Sequence, residues 1–255
     1  MTDLNRTLSI FADGEPVTGF RHARLTGRDA LGLYPMPFTL RLWNLAEEEY
    51  LKLEAAKTLA VLHGNSVLAC GTVSDVYRKT IPEGTLTEAV FAAGLSLWEA
   101  PVSLSVEAGV SVSETVRRIL EASGTGIRLL SFPGNDPVRT RGQAFSGRAA
   151  ECVEEALSAA GARGTLTETG LCVIPAEGLP VTVTLTEPEL AGAPAQAGKR
   201  LLLVRTAPVG WPLGKAMAVK WKNESGEGLV TERSIDADNL EGNWQAELLM
   251  EIHNS

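Results

Sequence analysis

Ser111–Gly124, SVSETVRRILEASG, is the stretch on which the fold turns. Ser111 can accept from the backbone N–H three residues on, and Glu114 can reach back to it, the reciprocal arrangement that opens a helix. Val112, Val116, Ile119 and Leu120 then form a stripe at helical spacing. Gly124 stops the helix, because the left-handed residue that ends one suits glycine. This helix interrupts a chain that otherwise reads largely as strands.

Upstream, residues 1 to about 104 carry mostly strand signals. Thr7–Phe11 is followed by Asp13-Gly14, a hairpin turn pair. In FTLRLWNL, residues 38–45, Phe38, Leu40 and Leu42 alternate with Thr39, Arg41 and Trp43, so one face is buried and the other wetter. Asn44 is expected to cap a helix over 46–57, with Glu47, Glu48 and Glu49 in the first turn, where the helix dipole favours anions. Strand-like runs follow at 58–63 and 66–77, split by Gly64-Asn65, then at 86 to about 97 and at 102–106.

Downstream, 127–132 reads as a short strand and 133–137 as a loop. Ser146 is expected to cap a second helix over 147–160, lined on one side by Cys152, Val153, Ala156, Leu157 and Ala160 and ended by Gly161. A hairpin follows, 165–167 and 171–174, turning at Thr169-Gly170. Then come a strand at 181–185, a long loop at 186–198, and strands at 201–204, 216–222 and 229–235, with a turn at Asn223, Ser225, Gly226 and Gly228. Trp244, Ala246, Leu248, Met250 and Ile252 alternate with Gln245, Glu247, Glu251 and His253, the cleanest period-two stretch, broken only by Leu249. The order predicts an α+β, mainly β fold. Two antiparallel β-barrels, residues 1–106 and 179–255, flank a small α/β module, residues 107–178, because closure removes exposed sheet edges.

Composition narrows the function. The 255 residues are 44% hydrophobic and 21% charged, enough to bury a core in two or three structural units. The net charge of −8 argues against a protein whose task is gripping nucleic acid, which needs clustered Lys and Arg. The densest basic stretches, 21–28 and 215–222, are short and read as solvated strand ends. Cys70, Cys152 and Cys172 are far apart and form no CxxC pair, so neither a disulfide framework nor a zinc site is expected. The opening MTDLNRTLSIF lacks the pattern of a signal peptide, and no apolar run is long enough to span a membrane.

No constellation for chemistry emerges. His22, His63 and His253 include no HExxH and no pair at i, i+4. There is no GxSxG, and Ser146 in Phe-Ser-Gly-Arg suits a cap better than a nucleophile. Gly161, Gly164 and Gly170 lack the lysine of a phosphate loop, and Gly210–Lys215 ends in Gly-Lys without a following Ser or Thr. Glu151, Glu154 and Glu155 share a helix at a spacing that suits a solvated face. The sequence therefore assigns no catalytic, cofactor-binding or metal-binding residue, no cofactor and no enzyme activity, and it names no interface residue.

The run of FTLRLWNL (38–45), SVSETVRRILEASG (111–124), FSGRAAECVEEALSAAGARGTLTETGLCVIP (145–175) and NWQAELLM (243–250) resembles the baseplate hub proteins of contractile-tailed phages and related contractile injection systems. The resemblance implies two barrels similar to the tail-tube fold around the α/β module. It also implies a homotrimer whose six barrels form a pseudo-sixfold ring, a tail tube adaptor between the sixfold tail tube protein and the threefold central spike protein. Other baseplate proteins would be its further partners. DNA would pass through without specific binding, and nothing would insert in a membrane. The place would be a virion or injection-particle baseplate assembled in the bacterial cytoplasm. A trimer would carry three times −8, or −24, and an acidic lumen would not hold the strand. Two alternatives are another tube-like tail component, a tube initiator or terminator with sixfold symmetry, and a carbohydrate-binding or hydrolytic β module.

Overall fold

The computed structural model of the chain describes residues 6–167, 170–175, 179–208, 210, 213–222 and 224–252. Thr169, Trp211, Pro212, Asn223, His253 and the first five residues lie outside them. The elements run β1 (Ser9–Ala12), β2 (Glu15–Val17), β3 (His22–Ala30), β4 (Pro37–Trp43), α1 (Glu47–Ala55), β5 (Thr58–His63), β6 (Ser66–Ile81) and β7 (Gly84–Ala92). Then come α2 (Leu95–Glu99), β8 (Pro101–Val106), α3 (Val112–Ser123), β9 (Leu129–Ser131), β10 (Gln143–Arg148), α4 (Ala149–Ser158), β11 (Ala162–Thr167) and β12 (Gly170–Pro175). The last strands are β13 (Leu179–Leu185), β14 (Ala195–Gly198), β15 (Leu201–Thr206), β16 (Lys215–Trp221), β17 (Glu224–Asp238) and β18 (Trp244–Ile252). The fold is α+β and mainly β, as expected from the sequence.

Two compact units form. One takes the chain up to Ala30, Met36–Ala93 and the chain from Val181 on; the other takes Leu31–Pro35 and Gly94–Pro180.

The first unit is built on a sheet of 13 described strands, ordered β14-β15-β18-β17-β3-β4-β7-β6-β5-β1-β2, with β16 on β17 and β13 on β16. The two β-rich lengths of sequence share this sheet through β3 and β17, paired antiparallel with Asp29 opposite Arg233 and Leu25 opposite Ala237. The alternation read at 38–42 holds: Phe38, Leu40 and Leu42 are buried. They pack with Ala23, Leu25, Ala89, Phe91, Ile235, Ala237 and Ala246 in one cluster. A second cluster, including Val204, Val219, Val230, Leu248 and Met250, draws only on the C-terminal length.

Three expectations in this unit are corrected. Asn44 does not cap α1, whose N-cap is Ala46. Asn44 instead takes a positive φ of 56°, and its Oδ1 accepts from Thr85 N at 3.0 Å, so its amide serves the strand next door. The acidic triplet does open the helix, but Glu49 also accepts from Thr18 N (2.9 Å) and Glu47 pairs with Arg78. Second, the glycines at 226 and 228 mark no turn. They lie inside β17, Gly228 opposite Met217 on one side and Ile252 on the other. A Cβ on Gly228 would stand 2.6 Å from Glu251 O, so close approach selects glycine there. Third, the segment 186–198 is not all loop: a 3-10 turn, Glu187–Glu189, and the edge strand β14 interrupt it.

The second unit confirms the decisive helix and amends its start. Ser111 Oγ accepts from Glu114 N (3.3 Å), Gly124 takes φ 65°, and Val112, Val116, Ile119 and Leu120 are buried. Glu114 does not reach back. It bonds Arg118 (3.1 Å), and Asp136 accepts from Ser113 N (2.9 Å) and Ser113 Oγ (2.6 Å) in its place. Ser111→Ala is expected to cost about 1 kcal/mol, as for other lost N-caps. Asp136→Ala should cost at least as much, since it leaves two donors without their acceptor. Urea midpoints of the two variants check this.

The second helix begins at Ala149 rather than 147, and Ser146 is not its cap. Ser146 and Gly147 belong to β10, opposite Ser103 and Val102 of β8, and the ladder between strands outweighs a cap. The strand expected to run to about 97 ends at Ala92; Gly94 (φ 73°) turns the chain into α2, burying Leu97. Residues 31–35 also join this unit. Leu33 is buried in its core, Leu33 N donates to Glu154 Oε1 (2.8 Å), and Gly32 N donates to Gly164 O (3.0 Å).

Candidate functional surface

Alternate residues of a strand point to opposite faces of a sheet. Those opposite the apolar cluster of the first unit form one continuous polar face, fixed by cross-strand register. Arg24 stands opposite Arg41, and Arg41 opposite Glu88. Glu88 stands opposite Tyr77. On the other side Asp238 is opposite Arg24, Ser234 opposite Glu247, and Glu247 opposite Arg205.

Several charges on this face are paired across strands. Arg24 grips Asp236 with Nε on Oδ1 and Nη2 on Oδ2, both 2.9 Å. Arg41 Nε meets Glu88 Oε1 at 2.7 Å, and Arg205 Nε meets Glu247 Oε1 at 2.7 Å. Glu88 is buried, with Lys79 Nζ at 3.4 Å and the Tyr77 hydroxyl donating to its other oxygen. Burial alone would raise its pKa. The hydrogen bonds from Tyr77 and Arg41, with the charges of Arg41 and Lys79, outweigh that and hold the carboxyl below its ordinary range.

The same balance recurs at Asp238. Burial is outweighed by the backbone N–H groups of Glu241 and Leu240 and by His22, so its pKa is lowered. His22 Nε2 lies 2.7 Å from Asp238 Oδ1, and its ring stacks on Trp43 at 4.0 Å. Asp13, bonded first by Lys57 N and then by Thr58, is lowered as well. In each case the folded pKa lies below the unfolded one. The stability contributed is therefore complete above the ordinary carboxyl range of about 4 and is lost as pH falls through the folded value. The urea midpoint is expected to hold down to about pH 5 and to drop steeply below about pH 4, and less steeply in Asp238→Asn.

Residues singled out in the sequence serve local structure. His63 Nδ1 lies 2.9 Å from Thr7 O, with its ring edge-on to Trp244. Cys152 is buried, which with Glu155 and Glu151 nearby pushes its thiol pKa up and away from reactivity. Glu154 holds Leu33, Glu155 accepts from Gln143 Nε2 (2.6 Å), and Glu151 approaches Arg148 (4.0 Å). Gly161 and Gly164 line an open cleft of about 440 Å³ in the second unit, whose polar side chains are Glu154, Ser158 and Arg163. No group of three metal-ligating side chains occurs among the described residues. No helix among them is long and apolar enough to cross a membrane. The polar face was partly legible in sequence: Arg41 and Glu247 fall on the wet phase of the alternations at 38–43 and 244–253, whereas Arg24 and Asp236 lie outside them, and the pairing needs the register.

No protein-family model matches the sequence, and no curated protein matches it. Solved structures do. A tail protein from Neisseria meningitidis MC58 is similar over 96% of this chain and 95% of its own, at 10% identity and a TM-score of 0.72. The 43 kDa tail protein of prophage MuSo2 from Shewanella oneidensis is similar over 96% and 97%, at 10% identity and a TM-score of 0.70. The E. coli c3393 protein is a component of the type VI secretion system with structural similarity to the T4 bacteriophage tail proteins gp27 and gp5. It covers 96% of this chain with 77% of its own length, at 12% identity and a TM-score of 0.68. The chain thus has the tail-protein fold that the resemblance in its sequence implied.

Proposed function

We propose that this chain is the non-enzymatic baseplate hub of a contractile tail or injection system. In this reading three copies form a pseudo-sixfold ring that adapts the tail tube to the central spike, with DNA passing through unheld. The observation that carries it is the likeness, over 96% of the chain, to tail proteins and to a secretion component itself similar to tail proteins. The two apolar clusters of the first unit favour it too: one is built mainly on the first β-rich length, with Ile235, Ala237 and Ala246 added from the last, and the other on the last length, so that each length supplies most of one tube-like half around the module of residues 107–178. The spike, the tube and other baseplate proteins are the expected partners.

Light scattering coupled to size exclusion tests the reading. The chain mass is 27.1 kDa, so a trimer gives three times that, 81.3 kDa. A trimer supports the hub, a hexamer replaces it with a tube initiator or terminator, and a stable dimer counts against both.

A further inference from the structure

The polar face of the large sheet gathers Arg24 and Arg28 on β3, Arg41 on β4 and Arg205 on β15, in a chain whose net charge is −8. Arginine is the side chain best shaped for phosphate, because its planar fork donates two parallel hydrogen bonds. Yet the donors of three of the four are already engaged. Arg24 places Nε and Nη2 on the two oxygens of Asp236, and Arg41 and Arg205 commit Nε to Glu88 and Glu247. Asp236 is held in turn by Asn243 Nδ2 at 2.7 Å. The buried carboxylate Glu88 neutralises both Arg41 and Lys79. Cross-strand ion pairs stabilise sheets only modestly, which does not require a carboxylate to be buried beneath two cations. From β15 to β4 the arginines span four strand spacings, roughly 19 Å, along which duplex DNA presents about eleven phosphates.

We infer that Glu88, Asp236 and Glu247 silence a latent polyanion-binding face: with their charges in place the sheet lies against duplex DNA without holding it, and without them Arg24, Arg41 and Arg205 grip phosphate. The choice of DNA as the polymer rests on the hub reading; the silencing rests on the pairs themselves.

The test replaces the carboxylates by their amides, Glu88→Gln, Asp236→Asn and Glu247→Gln together, which keeps shape and removes charge. Binding to a duplex oligonucleotide is followed by fluorescence anisotropy. Wild type is expected to show no saturable binding. The triple variant should bind with a log–log salt slope near −2.7, three phosphates at about −0.9 each, so that affinity falls about 40-fold between about 50 and 200 mM salt. Circular dichroism reports folding. Should the buried Glu88→Gln change prevent it, the pair Asp236→Asn and Glu247→Gln alone should give a slope near −1.8. Adding Arg24→Gln and Arg205→Gln to that pair should abolish binding. Folded amide variants that bind no better than wild type, or binding that survives loss of the arginines, would overturn the inference. The mass measurement is separate. A wild type that is a stable dimer, with an amide variant that binds DNA, removes the hub and leaves the silenced face, whereas a trimer whose variant stays inert removes the silenced face alone.

Discussion

Asp29→Ala is expected to destabilise the protein by roughly 3–5 kcal/mol, the range for removing one partner of a buried ion pair. Arg233 is only 8% exposed and receives its counter-charge from Asp29, with Nε to Oδ1 at 3.0 Å and Nη2 to Oδ2 at 2.6 Å. These two lie on the apolar side of β3 and β17, two residues from Gly27 and Ile235; Asp29 is itself 24% exposed, so water replaces the lost carboxylate only in part and the loss should fall near the lower end of that range. The urea midpoint, followed by far-UV circular dichroism, reads the loss. Asp29→Leu combined with Arg233→Met should recover most of it, because a matched apolar pair leaves no buried charge. A double variant as unstable as Asp29→Ala would mean that the strands themselves, and not the orphaned guanidinium, set the cost.

Phe145→Ala should cost the second unit about 3–5 kcal/mol for the cavity alone. Phe145 is one of the largest fully buried side chains, packed among Val102, Val153 and other members of that core. It has a further task. Arg139 Nε and Nη1 are buried with no hydrogen-bond partner, and the guanidinium carbon sits 5.4 Å from the Phe145 ring centroid. The ring face is what those N–H groups meet, an attraction of about 0.5–2 kcal/mol. In an Arg139→Met background Phe145→Ala should therefore cost less, by that amount. A double-mutant cycle with zero coupling would show that the contact is packing only.

What the sequence revealed and concealed divides along physical lines. Features carried within a few residues were legible: the Ser111 cap, the Gly124 stop, the turn at Asp13-Gly14 (φ 49° and 84°), and the alternation at 38–42. Features that depend on a distant partner were not. Ser146 looks like a cap until β8 is placed beside it, and Asn44 until Thr85 is. Gly226 and Gly228 look like a turn until β16 and β18 close on both sides of β17. Leu33 gave no signal at all, because five residues carry no period, yet it is buried in the second core. Of the polar face only Arg41 and Glu247 were readable as wet positions, while its ion pairs appear only once β3 meets β17, β4 meets β7 and β15 meets β18.

The seam between β3 and β17 joins residues 204 positions apart, and this sets a timetable for birth. At about 5–20 residues per second, a ribosome that has made β3 needs roughly 10–40 s more to make its partner. During that interval Ala23 and Leu25 wait with one neighbouring strand in place of two. The second unit waits for nothing downstream of Pro180, since its own pieces, Leu31–Pro35 and Gly94–Pro180, have by then been made. Its helices can settle first and the large sheet must close last. The vulnerable species in synthesis is therefore a half-made sheet with an open β3 edge, and slowing translation after Pro180 should lengthen its exposure to aggregation.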